Sequence, residues 1–144
     1  MKVVNDFLGE VEYTDEDIIV FEDGILGFSS TQKYILVTNP DPVFPFNWLQ
    51  SVDESDVSFI LTNPFLFVSE YDFEIPDSVI EKLDIEDIED VAIYSMVVIP
   101  EEPKQTTINL KSPLIINNRT KHAKQVILEE DFALKYEIFQ KEES

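Results

Sequence analysis

The chain has 144 residues, of which 30 are Asp or Glu and 10 are Lys or Arg, a net charge of −20 with the single His122 neutral. A hydrophobic content of 44% with 12% aromatics excludes a disordered acidic tail, and the length suits one domain, residues 1–144, able to bury a core. Nucleic-acid phosphates are poor partners for such a surface, because affinity for them comes from Lys and Arg releasing counterions; a basic protein partner is favoured instead. With no cysteine there are neither disulfides nor thiolate metal sites.

Met1–Asp6 turns polar too soon for a cleavable signal, and the apolar stretches, such as Met96–Ile99, are far too short to span a membrane, so the expectation is a soluble cytoplasmic protein. Short β-branched and aromatic runs separated by turn residues predict strands at 17–21, 34–38, 57–61, 91–99, 106–110, 114–117 and 125–129. Asp23-Gly24 with Gly27 ends the first, and Asn39-Pro40-Asp41-Pro42 the second. Their spacing predicts a mostly β fold, a small antiparallel barrel or sandwich. One short helix is predicted around residues 78–84, with a Ser78–Glu81 capping box and Val79, Ile80 and Leu83 on its buried side. The stretch 85–91 is expected to be loop, and Lys141–Ser144 a frayed tail.

Charge is uneven: residues 1–100 carry 22 acids and 3 bases, whereas 101–144 carry 8 and 7. No repeat or interdomain linker is visible. Catalytic signals are sparse. A Ser–His pair would need His122, which sits in the polar turn Asn117–His122, and three glycines do not make a phosphate loop. Asp15-Glu16-Asp17 and Asp53-Glu54-Ser55-Asp56 resemble cation ligands but lack the glycine and closing Glu of a calcium loop. No cofactor, metal site or enzymatic activity is expected. What remains are apolar residues in turn-like contexts: Ile25, Leu26 and Phe28 around Gly24 and Gly27, the run Val43–Gln50 with Trp48, and Asn63–Phe67. Such rings either fill a core or anchor a partner.

In order, Phe21-Glu22-Asp23-Gly24-Ile25-Leu26-Gly27-Phe28, Phe46-Asn47-Trp48-Leu49-Gln50-Ser51 with Asp53, Thr106 to Asn117, and Ala123-Lys124-Gln125-Val126-Ile127-Leu128 resemble the flagellar assembly factor family, FliW. Each segment alone is weak; the ordered set spans almost the whole chain. The resemblance implies a compact β protein of the bacterial cytoplasm without enzymatic activity. It implies binding to the translational repressor CsrA, relieving repression of flagellin mRNA, and binding to flagellin in a partner-switching loop. On this basis Ile25, Phe28, Phe46 and Trp48 are expected as apolar anchors and Asp23, Gln50 and Asn109 as polar contacts. The structural alternatives are turn chemistry for Asp23, core for Trp48 and strand-end bonding for Asn109. The competing functional reading is a general acidic decoy that mimics nucleic acid and blocks basic proteins. A carboxylate-dependent hydrolase is the third, and free protein is expected to be monomeric because a −20 charge opposes self-association.

Overall fold

Strand-forming residues dominate the structure, a computed structural model that describes residues 1–5, 9–28, 30–38 and 46–139. The strands are β1 (Lys2–Asn5), β2 (Gly9–Glu12), β3 (Ile19–Phe21), β4 (Lys33–Val37), β5 (Phe46–Ser51), β6 (Ser58–Thr62), β7 (Val91–Val98), β8 (Thr107–Ile108), β9 (Leu114–Asn117), β10 (His122–Gln125) and β11 (Tyr136–Glu137), with one helix, α1 (Asp77–Lys82). Strands β3-β4-β5-β6-β7-β9-β10 close on themselves through the β7–β9 and β10–β3 pairings, forming a seven-stranded barrel. β8 and β11 extend the sheet beyond β7.

The expected mostly β class, small antiparallel barrel and short helix are present, with one pairing of the ring, β10 with β3, parallel. β10 runs parallel to β3, pairing His122 with Val20 and Ala123 with Phe21. The reason is topological: a closed ring of seven strands cannot alternate direction at every step, so at least one neighbouring pair must be parallel.

Side-chain alternation across the strands divides the core into three. Facing inward are Ile19, Phe21, Tyr34, Leu49, Leu61, Leu114, Ile116 and Ala123, which fill the barrel. The opposite face of β4 and β5 offers Ile35, Val37 and Trp48, covered by Val3 and Val11 of the β1–β2 hairpin. A third cluster lies on the outer side of β7–β9, where Val97, Ile108 and Ile115 pack against Tyr71, Val79 and Leu83.

Several expectations shift. Residues 46–50 form a barrel strand rather than a turn: Gln50 and Trp48 look turn-like in sequence, but each finds its partners within the fold. Residues 39–45 and the tail 141–144 lie outside the described residues. The strand expected at 125–129 is centred earlier, at His122–Gln125, although Val126 and Leu128 still donate to Pro113 O and Lys111 O (3.0 and 2.9 Å). The strand expected at 17–21 begins two residues later, because Asp15–Asp17 form a 3-10 turn in which the Thr14 amide donates to the Asp17 carboxylate (2.9 Å). The strand expected at 106–110 narrows to Thr107–Ile108, with Asn109 turning the chain. The helix starts at Asp77 with Pro76 at its N-cap, and no side chain caps it, so the Ser78–Glu81 box is absent. Pro76 O accepts from both Val79 and Ile80, which places the N-cap two residues before Ser78. The stretch after α1 is loop with a 3-10 turn at Ile88–Asp90. Among the described residues no helix is long and apolar enough to cross a membrane.

Candidate functional site: a groove beside the glycine turn

β3 leaves the barrel at Phe21, where Gly24 N–H donates to Phe21 O (2.8 Å) and Gly24 and Gly27 adopt φ of 71° and 85°. A side chain at these left-handed positions would be strained, so glycine is the residue the turn requires. The turn drives Ile25 (1% exposed) into the barrel core and lifts Leu26 (61%) to the surface. Phe28 is partly exposed, its ring packed edge-on against Phe59 with centroids 5.1 Å apart.

Opposite the turn lies β10. Gln125 Oε1 accepts from Leu26 N–H (2.9 Å) while its Nε2 donates to Ser112 O (3.3 Å), so one side chain ties the turn to the β9 side of the barrel. Lys124 Nζ meets Asp23 Oδ2 at 2.7 Å, and Lys82 reaches Glu22 and Asp23 from α1 at 3.4 and 3.6 Å. The Lys124 hydrogen bond, with both ammonium charges, outweighs the opposing cost of desolvation and holds the Asp23 carboxyl below its ordinary value. Asp23 is therefore an ionised acceptor at neutral pH rather than a proton donor.

Between turn, α1 and β10 lies a groove of about 470 Å³, lined by residues 23–27, Pro76, Ser78, Val79 and 124–127. Ile127, 59% exposed, stands on its rim and also borders a second hollow of about 590 Å³ with Glu74, Glu129 and Glu130. The surface thus offers apolar side chains inside a largely acidic border.

Of the residues singled out in the sequence, Asp23 and Ile25 line this groove and Phe28 stands on the same turn. The others lie elsewhere. Phe46 and Trp48 are 5% exposed, Phe46 in the outer core and Trp48 beneath the N-terminal hairpin. Gln50 is fully buried, accepting from Asn5 Nδ2 (3.2 Å) and donating to Ser51 O (3.0 Å). Ile25, Phe46, Trp48 and Gln50 therefore serve the core and present a partner almost no surface. Asn109 is half-buried and closes a turn, its Oδ1 accepting from the amides of Lys111 and Ser112 (both 2.9 Å). Lys124, Gln125 and Ile127 carry part of the family resemblance but were not expected as contact residues; they meet the turn only through the parallel closure, about a hundred positions along the chain.

Fold and surface define a small closed β-barrel carrying an apolar groove beside its glycine turn. The FliW protein family model matches residues 2–138. The chain is 48% identical over 123 residues to the flagellar assembly factor FliW of Alkaliphilus metalliredigens, covering 85% of this chain and 76% of that one. With the protein of the same description from Caldicellulosiruptor saccharolyticus it shares 43% over 133 residues, covering 92% and 86%. A crystal structure of the flagellar assembly factor FliW superposes with a TM-score of 0.90 at 32% identity, covering 98% of this chain and 99% of that one. The chain belongs to the FliW family.

Proposed function

We propose that this protein acts in the cytoplasm as a single-domain, monomeric, non-enzymatic flagellar assembly factor that binds CsrA and relieves its repression of flagellin translation, and that also binds flagellin. Its membership in a family of flagellar assembly factors supports the setting. The observation that carries the binding role is the groove beside the glycine turn, where Leu26 and Ile127 stand exposed and the adjoining hollow brings the acids Glu74, Glu129 and Glu130 up to Ile127. Apolar side chains there supply contact energy, and the surrounding charge orients a basic partner and speeds encounter. An anionic body beside an RNA-binding surface would also repel incoming phosphate over distances up to roughly 8 Å at physiological salt. Asp23 and Phe28 are assigned to this contact surface together with Leu26 and Ile127.

The test is calorimetric titration with purified CsrA, and separately with flagellin, at about 0.15 M and about 0.5 M salt. Binding that persists at the higher salt and weakens about tenfold or more in Leu26→Asp supports the reading. Binding to basic proteins at large that vanishes at the higher salt and ignores Leu26→Asp replaces it with the acidic-decoy reading. No binding to either protein overturns it.

A further inference from the structure

A second surface, separate from the glycine turn, lies where α1 and the loop after it lean on β7. A groove of about 600 Å³ opens there, with Ile80 on the helix, Ile85 and Ile88 on the loop, Ile93 on the barrel wall, and Phe73 and Ile75 on the incoming chain. Ile88 is 70% exposed, the most exposed of the large apolar residues among those described. The walls also carry Glu74, Asp77 and Glu86.

The groove is firmly built. α1 ends with Asp84 N–H donating to Glu81 O (3.1 Å) and Ile85 N–H to Ile80 O (2.9 Å), which folds Ile85 back over the helix. Asn117 Nδ2 holds the carbonyls of Leu83 and Asp84 (2.8 and 3.1 Å), Arg119 Nη2 also holds Asp84 O (2.6 Å), and Asn118 N–H donates to Asp90 O (2.8 Å). A partner meeting these walls pays little for ordering them.

Charge identifies the occupant. Residues 70–90 contain ten acids and one lysine, a net of −9. The lysine, Lys82, is held by Glu22 and Asp23 (3.4 and 3.6 Å), and Arg119 from β10's turn is shared among Asp84, Glu86 and Asp90 (3.4, 3.6 and 3.7 Å). A second copy of the chain would bring the same acids face to face in a two-fold interface. A neutral apolar segment would leave the acids around the groove uncompensated. We propose that this isoleucine-lined groove docks a cationic amphipathic segment of a partner protein, apolar side chains on Ile88, Ile85 and Ile93 and Lys or Arg against Glu74, Asp77 and Glu86. The surface shares no lining residue with the glycine-turn groove, and only Glu74 with the hollow next to it; its test uses neither CsrA nor flagellin.

The probe is a fluorescein-labelled Leu/Lys peptide of about 14 residues with one apolar face, compared by anisotropy with a scrambled peptide of the same composition that has no face. The expected result is binding about tenfold tighter than the scramble, lost about tenfold in Ile88→Asp, weakened in Glu74→Lys, and unchanged in Leu134→Asp, whose side chain is also well exposed (63%) but lies outside the groove. Because Ile88 and Glu74 are exposed, the folded barrel is retained in both variants, which circular dichroism verifies. Equal affinity for the scramble, or binding indifferent to Ile88→Asp, overturns the proposal. Sedimentation showing a dimer that dissolves in Ile88→Asp overturns it in favour of a second copy.

Discussion

Tyr34 shows how burial decides a residue's chemistry. Its ring is fully buried in the barrel between Phe21 and Phe59, and its hydroxyl meets no hydrogen-bond partner among the described residues. Desolvation, aided by the negative charge of Glu54, pushes the phenol up to about 12 from 10.0. Tyr71, whose hydroxyl donates to Leu110 O (2.6 Å), and Tyr94 are raised for the same leading reason. A folded-state value above the unfolded one means that the native protein holds its proton longer, so the contribution is complete below pH 10 and is lost as pH rises through the folded value. For Tyr34 that linkage is worth about 3 kcal/mol. Urea denaturation repeated between about pH 8 and 12 should show stability falling from about pH 10, with tyrosinate absorbance rising together with unfolding. Ionisation of all five tyrosines at about pH 10 in protein that stays folded would contradict this. The same lesson governs the site residues. Gly24 and Gly27 announce their turn through a local backbone rule, whereas Trp48 and Gln50 carry side chains equally at home in a core and at an interface. Only the hairpin above Trp48 and the Asn5 contact of Gln50 decide between those roles, and neither is local.

Local chemistry likewise marks elements better than their limits. Val91–Val98 and Leu114–Asn117 are β-branched runs closed by turns, and they are strands within a residue of their expected ends. His122–Gln125 is polar and half-buried, so nothing in its pattern marks a barrel strand. α1 shows the same division. Its buried Val79 and Leu83 follow helical spacing, yet its start is set by Pro76 and its end by Asp84, a non-glycine residue at φ 55° in the position where helices favour glycine. Aspartate tolerates this conformation better than most residues but not without cost. Its carboxylate meets Arg119 at 3.4 Å while 69% exposed, an ion pair worth little. Relief of strain should therefore outweigh the lost pair, and Asp84→Gly should stabilise the protein by about 0.5–1 kcal/mol. In thermal unfolding that is an increase of roughly 2–4 °C. A fall in melting temperature would show instead that the Asp84 carboxylate anchors the loop.

At the scale of the whole molecule, charge and fold pull against each other. Strand content and class are legible along the chain, but barrel closure is not, because the partner of β3 arrives a hundred residues later as β10. That closure also redistributes charge: Lys124 and Arg119, from the nearly neutral last third, reach Asp23, Asp84, Glu86 and Asp90 in the acidic first part. With all ten cationic side chains counted, a net −20 remains, spread over 8,895 Å². Every ion pair among the described residues also has both partners at least 29% exposed, where such pairs contribute at most about 1 kcal/mol each. Unscreened repulsion should therefore exceed pairing, and it acts more strongly on the compact barrel than on an expanded chain. Screening shortens from about 30 Å at 0.01 M salt to about 8 Å at 0.15 M. The melting temperature in sodium chloride should therefore rise across that interval, with most of the gain complete by its upper end. Calorimetry at constant pH measures this directly. A melting temperature that falls with added salt would mean that the ion pairs joining β10 and α1 to the glycine turn outweigh the repulsion of the surrounding acids.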